Sequence, residues 1–180
     1  TREEADKLIA EHGWIFKEEI KANGGWRRVV PSPAPMDVKN AELVERMARE
    51  GNIVVTVGGG GIPVYEDGKG MLQPLEGVID KDLASAMIGG KVKADELYIL
   101  TDVPYIYKNY KKPDEEILEV LDYADAKKYL DSGMFGEGSM APKIRACLAF
   151  VENGGKKAVI TEATKLEDRR FGSKITMHYE

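Results

Sequence analysis

An α/β fold, with a largely parallel sheet sandwiched between helices in three layers, is what the sequence predicts, and three observations predict it. Residues 53–57, 97–100 and 158–161 are short continuous apolar runs, the pattern of strands buried on both faces. Between them lie amphipathic segments, with apolar residues spaced as on one face of a helix. Strands alternating with such helices pack as a sheet covered on both sides. The 180 residues, 43% of them hydrophobic, suffice for one domain over 1–180 with one sizeable core.

Each element has its own signal. Residues 1–12 read as a helix: Thr1 and Glu4 have capping-box spacing, Ala5, Leu8 and Ile9 share a face, and Gly13 stops it. Residues 14–30 alternate apolar and polar around Ala22-Asn23-Gly24-Gly25, which predicts a small N-terminal hairpin with Trp14 and Trp26 paired across it. Pro31, Pro33 and Pro35 make a stiff extended connector. A helix over 41–50 ends at Gly51, and the strand at 53–57 runs straight into Gly58, Gly59, Gly60 and Gly61. Helices are expected at 82–89 and 122–130, the second with Asp122 and Asp125 at its cap. The clearest helix is 139–153, where Ile144, Cys147, Leu148 and Val151 form the stripe and Gly154-Gly155 closes it. The strand 97–100 ends at Thr101-Asp102, the strand 158–161 at Thr161-Glu162, and 174–177 is expected to be an edge strand.

Composition removes several classes of function. Net charge is −5 with both signs mixed along the chain, which leaves no basic footprint for nucleic acid; Arg27-Arg28 and Arg169-Arg170 are too short to form one. No apolar stretch reaches membrane-spanning length, and the first residues lack the apolar core of a secretory signal. The single cysteine, Cys147, allows no intrachain disulfide, so the cytoplasm is the expected compartment. His12 and His178 have no partner at metal-ligand spacing, so no protein-held metal is expected. Cys147 lies on the apolar stripe of its helix and reads as core.

Three segments are candidates for chemistry, because α/β sheets bind ligands beyond the carboxyl ends of their strands. Gly58 to Gly61 follow a buried strand and present backbone N–H groups with no side chains in the way. A flexible turn and an anion cradle remain equal readings of that run, which fits neither a Walker loop nor a dinucleotide fingerprint. Asp80-Lys81-Asp82 stands at a helix entry, with Asp82 placed as its N-cap and Lys81 held between two carboxylates. In Gly138-Ser139-Met140-Ala141-Pro142-Lys143, Ser139 is the expected N-cap and Pro142 fits the first turn. A lysine so close to a helix amino end opposes the helix dipole, and a bound phosphate would reverse that penalty. Local helix physics therefore marks Lys143 as a residue kept for a ligand.

Five segments in register resemble the carbamate kinases, a branch of the amino-acid-kinase family: Gly25 to Pro33, Gly58 to Val64, Val78 to Ala84, Leu100 to Val103 and Gly138 to Lys143. The resemblance implies that family's α/β/α sandwich, ATP or ADP as nucleotide, Mg²⁺, and a homodimer. It implies reversible phosphoryl transfer between ATP and carbamate, giving ADP and carbamoyl phosphate, used in arginine catabolism to make ATP. It gives Lys143 the neutralisation of the transferring phosphate and Asp82 the positioning of catalytic lysines. Lys81 becomes a lysine particular to this branch that reaches the phosphates, and Gly58, Gly59, Gly60 and Gly61 become the backbone cradle. Thr101, Asp102 and Val103, with Ser139 and Met140, fall where the family lines its nucleotide pocket.

The family is much longer at its amino end. Its members start with a strand leading into a Gly-Gly-Asn loop and a lysine, then a Gly-Asn-Gly loop, then a Lys-Pro-Ile/Val-Gly segment. None of these occurs in the 180 residues. The expectation is the nucleotide-binding portion of a kinase without its substrate lobe, with little activity alone. The alternatives are a sister kinase acting on acetylglutamate, aspartate or UMP, which Lys81 and the Gly25-Trp26-Arg27-Arg28 segment oppose, and a non-catalytic nucleotide-binding module.

Overall fold

Residues 1–19 and 24–178 are described by a computed structural model in which the chain divides into two compact units, Thr1–Pro33 with Ile62–Val78, and Ala34–Gly61 with Ile79–Glu180. In the first unit, helix α1 (Arg2–His12) starts at a complete Thr1/Glu4 capping box and stops at Gly13, at φ 68°. Only glycine takes that left-handed stop at no steric cost. Strands β1 (Ile15–Glu18) and β2 (Trp26–Val29) form the expected antiparallel hairpin. Part of its expected turn, Ala22-Asn23, lies outside the described residues. The two tryptophans do not pair. Register places Trp26 opposite Glu18, with the Arg2 guanidinium 4.2 Å above its ring, while Trp14 stacks on His12 at 4.5 Å. A second hairpin, β3 (Val64–Glu66) with β4 (Leu72–Pro74), carried no hydrophobic alternation to betray it. Its turn is held by the Asp67 carboxylate, which accepts from the Lys69 and Met71 backbone amides and from the Gln73 side-chain amide Nε2 at 2.9–3.0 Å. Those bonds hold the Asp67 carboxyl below its ordinary range.

The second unit holds the main sheet and most of the core. Its elements run α2 (Ala41–Arg49), α3 (Lys81–Lys91), β5 (Glu96–Thr101), β6 (Ile106–Lys108), β7 (Glu116–Leu118), β8 (Val120–Asp122), α4 (Tyr123–Asp131), α5 (Met140–Glu152), β9 (Lys157–Glu162) and β10 (Ser173–Thr176). The sheet order is β5-β9-β10-β8. β5 is parallel to β9 and β8 is parallel to β10, while β9 and β10 are antiparallel, so the sheet is mixed. β10 is an interior strand and not the expected edge. Ser173 and Ile175 point alternately into the core with no exposure at all.

Helix α5 is the central pillar: Ile144, Cys147 and Phe150 are fully buried, against a core that includes Leu121, Ile160 and Ile175. α3 packs on α5 at Gly89, where an added Cβ would meet the Phe150 ring at 2.9 Å. The α/β class and the small N-terminal hairpin are as expected. Among the described residues no helix is long and apolar enough to cross a membrane.

One expected strand is missing from the ladder. Residues 53–57 are paired with no described strand, and Ile53 and Val55 are 99% and 92% exposed. A strand exists only through a neighbour's hydrogen bonds, and the apolar run has no neighbour here.

Candidate active site

Asp80, and not Asp82, caps α3: its Oδ1 accepts from the Asp82 and Leu83 amides at 2.8 and 3.0 Å. The expected capping role of Asp82 is therefore corrected, and the correction frees its carboxylate. Asp82 is buried at 7% exposure in the first turn of the helix, where it reaches across to α5. Lys143 Nζ donates to Asp82 Oδ2 at 2.9 Å, and Lys81 Nζ stands 3.8 Å from Oδ1. Lys143 is nearly buried, its side chain 14% exposed, while that of Lys81 is 60% exposed. One carboxylate thus holds one sequestered and one solvent-facing cation.

The amino end of α5 has neither a side-chain cap nor an acidic first turn. Ser139 occupies the N-cap position, but its Oγ donates only to the Gly136 carbonyl at 3.4 Å. The expected capping bond of Ser139 does not form. The positive end of the helix and the Lys143 charge are consequently left uncompensated except by Asp82.

A cleft of about 240 Å³ opens at this point, lined by Thr101, Asp102 and Val103 beyond β5, by Gly136, Ser139, Met140 and Lys143, and by the β6–β7 hairpin. All five expected nucleotide-lining residues of these two segments meet there. The hairpin was not anticipated. It contributes Tyr107 and Tyr110, whose ring centroids are 5.3 Å apart, and Lys111, whose ammonium lies 5.2 Å from the Tyr110 ring. Its tip places Asn109 and Lys111 at φ 52° and 62°. The buried Ser173 hydroxyl fastens the hairpin to the sheet, accepting from the Ile106 amide at 2.7 Å and donating to the Leu118 carbonyl at 2.5 Å. The dense aromatic and lysine spacing of 105–112 was the available signal in the sequence. Burial, with Glu115 nearby, pushes the Tyr107 phenol above its ordinary value, so it remains a hydrogen-bond donor.

The glycine run does not line that cleft. Gly60 is buried against the backbone just before Asp80, and a Cβ there would lie 2.1 Å from the Ile79 carbonyl oxygen. This contact ties the run to the lead-in of α3, while Gly58, Gly59 and Gly61 are exposed. A second hollow, of about 430 Å³, is lined by apolar residues such as Leu83, Met87 and Ala149; its cation, Lys91, is bound to Asp37 at 2.6 Å. Lacking convergent polar groups, it is the poorer site despite its size. Cys147 takes no part, because burial above all, with the Asp82 charge adding, raises its thiol far beyond the reactive range.

Residues 5–162 match the amino acid kinase family. The chain is 47% identical over 151 residues to a carbamate kinase of Thermoplasma acidophilum, covering 84% of this chain and 48% of that one. It is 46% identical over 171 residues to a carbamate kinase of Halobacterium salinarum, covering 92% and 55%. Among solved structures, the carbamate kinase of Giardia lamblia bound to AMP-PNP superposes with a TM-score of 0.85 at 36% identity, over 98% of this chain and 56% of that one. The chain spans about half the length of the curated relatives it matches.

Proposed function

The chain belongs to the amino acid kinase family, and from that premise we propose that its residues are the nucleotide-binding part of an enzyme that moves a phosphoryl group reversibly between ATP and carbamate. The observation that carries this reading is the nearly buried Lys143–Asp82 pair, set at an uncapped helix amino end beside a cleft with aromatic walls. The similarity to carbamate kinases, one of them bound to an ATP analogue, supports the choice of substrate and nucleotide.

Phosphoryl transfer needs charge and position more than covalent chemistry. Tyr107 and Tyr110 offer flat faces to the base, with Thr101, Asp102 and Val103 alongside. The phosphates then point at the amino end of α5, where backbone amides and Lys143 meet the charge that grows on the transferring oxygens. Asp82 keeps the Lys143 ammonium in place between turnovers; Lys81, more exposed, reaches the outer phosphate oxygens. The described residues contain no cluster of three metal-ligating side chains. A Mg²⁺ carried on the nucleotide's own phosphates belongs to the same reading, with the Asp102 carboxylate of the cleft nearby, and the ion would supply additional charge neutralisation there. Homodimerisation, a cytoplasmic location and a role in arginine catabolism belong to the same reading and rest on the resemblance to carbamate kinases.

The test is ATP formation from carbamoyl phosphate and ADP by the complete enzyme. Lys143→Ala should lower kcat by on the order of 10²-fold or more with a smaller change in the KM for ADP, because its charge matters most in the transition state. An unchanged kcat would remove Lys143 from the mechanism.

A further inference from the structure

The acid that immediately precedes the amino end of α5 is turned away from it. Glu137 stands two residues before Ser139, the N-cap position. A carboxylate there is drawn toward the positive end of the helix, and the Lys143 ammonium adds to the pull. Glu137 goes elsewhere: both of its oxygens lie 2.7 Å from Nη2 of Arg145. Arg145 follows Met140 by five residues, which sets it about 7.5 Å farther along the axis at about 1.5 Å per residue. It follows Lys143 by two, which puts the two cations about 200° apart around the helix. The pair therefore draws Glu137 to the flank opposite Lys143. The walls of the cleft agree, since they include Gly136 and Ser139 but not Glu137. The backbone of this loop is fixed independently by the Gly136 carbonyl, which accepts from the Ser139 and Ala141 amides at 3.1 Å. What Arg145 sets is the direction of the Glu137 side chain.

We infer that Arg145 is a positioning residue for anion binding at the amino end of α5: it holds the Glu137 carboxylate off the place that the nucleotide phosphates take. The inference rests on the nucleotide reading of this cleft. Unpaired, Glu137 has two attractive destinations, the uncapped end of α5 and the Lys143 ammonium. In either it competes with a phosphate for the same positive charge. It would also contest Lys143 with Asp82, whose Oδ2 lies 2.9 Å from Nζ. Fold stability is a poor reason for the pair. Its side chains are 42% and 72% exposed, and exposed pairs of this kind contribute little to a fold. The same exposure bounds the effect on binding, because solvent screens a surface charge. A direct grip of Arg145 on the phosphates is the weaker reading, since its Nη2 is engaged by Glu137 on the far flank and the residue is absent from the cleft walls.

Calorimetric titration of the complete enzyme with ADP, beside the ATP-forming assay, tests this. Arg145→Ala should weaken ADP binding by about 3- to 5-fold at about 0.01 M salt, with a smaller change in kcat, and the loss should shrink at about 1 M salt. Glu137→Gln alone should bind ADP at least as tightly as the parent. The double variant Arg145→Ala/Glu137→Gln should recover the parent affinity. Arg145→Lys should keep most of it, because either cation holds the carboxylate. Melting temperatures should agree across the four variants, which separates the effect from a loss of folding. A double variant as weak as Arg145→Ala, a loss that persists at high salt, or an Arg145→Ala affinity equal to the parent's overturns the inference. Pyrophosphate titrated into the same proteins separates it from the nucleotide reading. A parent enzyme that binds pyrophosphate but not ADP removes the nucleotide, and the same pattern of loss and rescue read with pyrophosphate keeps Arg145 in its role. ADP binding by the parent with no rescue in the double variant does the reverse, and a parent that binds neither ligand overturns both.

Discussion

Asp80 and Asp82 are two residues apart, chemically identical, and given different work by where α3 begins. Asp80 spends its carboxylate on two backbone amides, while Asp82 binds a lysine 61 positions further along the chain. Asp80→Ala should therefore cost about 1 kcal/mol, the usual worth of an N-cap, seen as a lower melting temperature. Asp82→Asn should cost little of that cap and a large part of the complete enzyme's kcat, because Lys143 loses the charge that holds it. If the two variants had interchanged effects, the capping assignment would be wrong. Sequence alone marked all three charged residues at this entry but gave the cap to the wrong aspartate. Either start of the helix satisfies local propensity, and in the structure it is the Asp80 carboxylate that accepts from the first free amides. Lys143 was marked for the opposite reason: it violates a local rule of helix charge, and the structure sets it 2.9 Å from Asp82.

At the scale of elements, the strongly periodic ones were legible and the short ones were not. α5 was read almost to its ends, because seven buried residues on a 13-residue helix leave no other period open. The 3-residue strands of the β3–β4 and β6–β7 hairpins have no period to read, and their pairing comes from turns fixed by Asp67, Asn109 and Ser173. β10 was mistaken for an edge because three polar residues among four suggest exposure; Ser173, Lys174 and Thr176 all in fact serve the ladder. The starts of β5 and β9 are joined by a polar knot that gives a pH test. Lys157 lies 2.8 Å from Glu96, which also accepts from Tyr98 at 2.7 Å and lies 3.3 Å from Arg169. The Lys157 hydrogen bond above all, then that from Tyr98, lowers the Glu96 carboxyl below its ordinary 4.5. A carboxyl lowered by folding stabilises the fold fully above its unfolded value and loses that contribution as pH falls through the folded one. Glu96→Gln should thus melt below the parent chain at pH 7, and the gap should close as pH drops beneath 4.5. A gap constant from pH 7 to pH 3 would show that packing, and not charge, is what the substitution removes.

Across the whole molecule, the proposed nucleotide cleft and the bare 53–57 run differ in how complete they are. Every residue lining the cleft, from Thr101 to Lys143, belongs to one compact unit, whose elements are tied together by the main sheet and α5. Nothing in that list waits on residues beyond the chain. The acceptor side is different, because the only segment assigned to it, Gly58 to Gly61, follows the bare 53–57 run. Binding and turnover should therefore separate in the 180-residue chain. ADP should raise its melting temperature, by mass action worth about 2.7 kcal/mol at a concentration 100 times its Kd. Carbamoyl phosphate alone should not. The same sample should form little or no ATP, since losing one preorganised donor already costs about 10²–10³ in rate and these residues span about half the length of the carbamate kinases they match. Met140→Glu, which places an acid at the uncapped end of α5, should abolish the ADP shift by repelling the phosphates while adding a residue that the free helix end favours. Calorimetry with ADP on the chain and this variant, alongside the ATP-forming assay, decides the matter. An ADP shift that survives Met140→Glu would place the nucleotide elsewhere, and vigorous ATP formation by the chain alone would mean that its own residues surround the transferring phosphoryl group on every side.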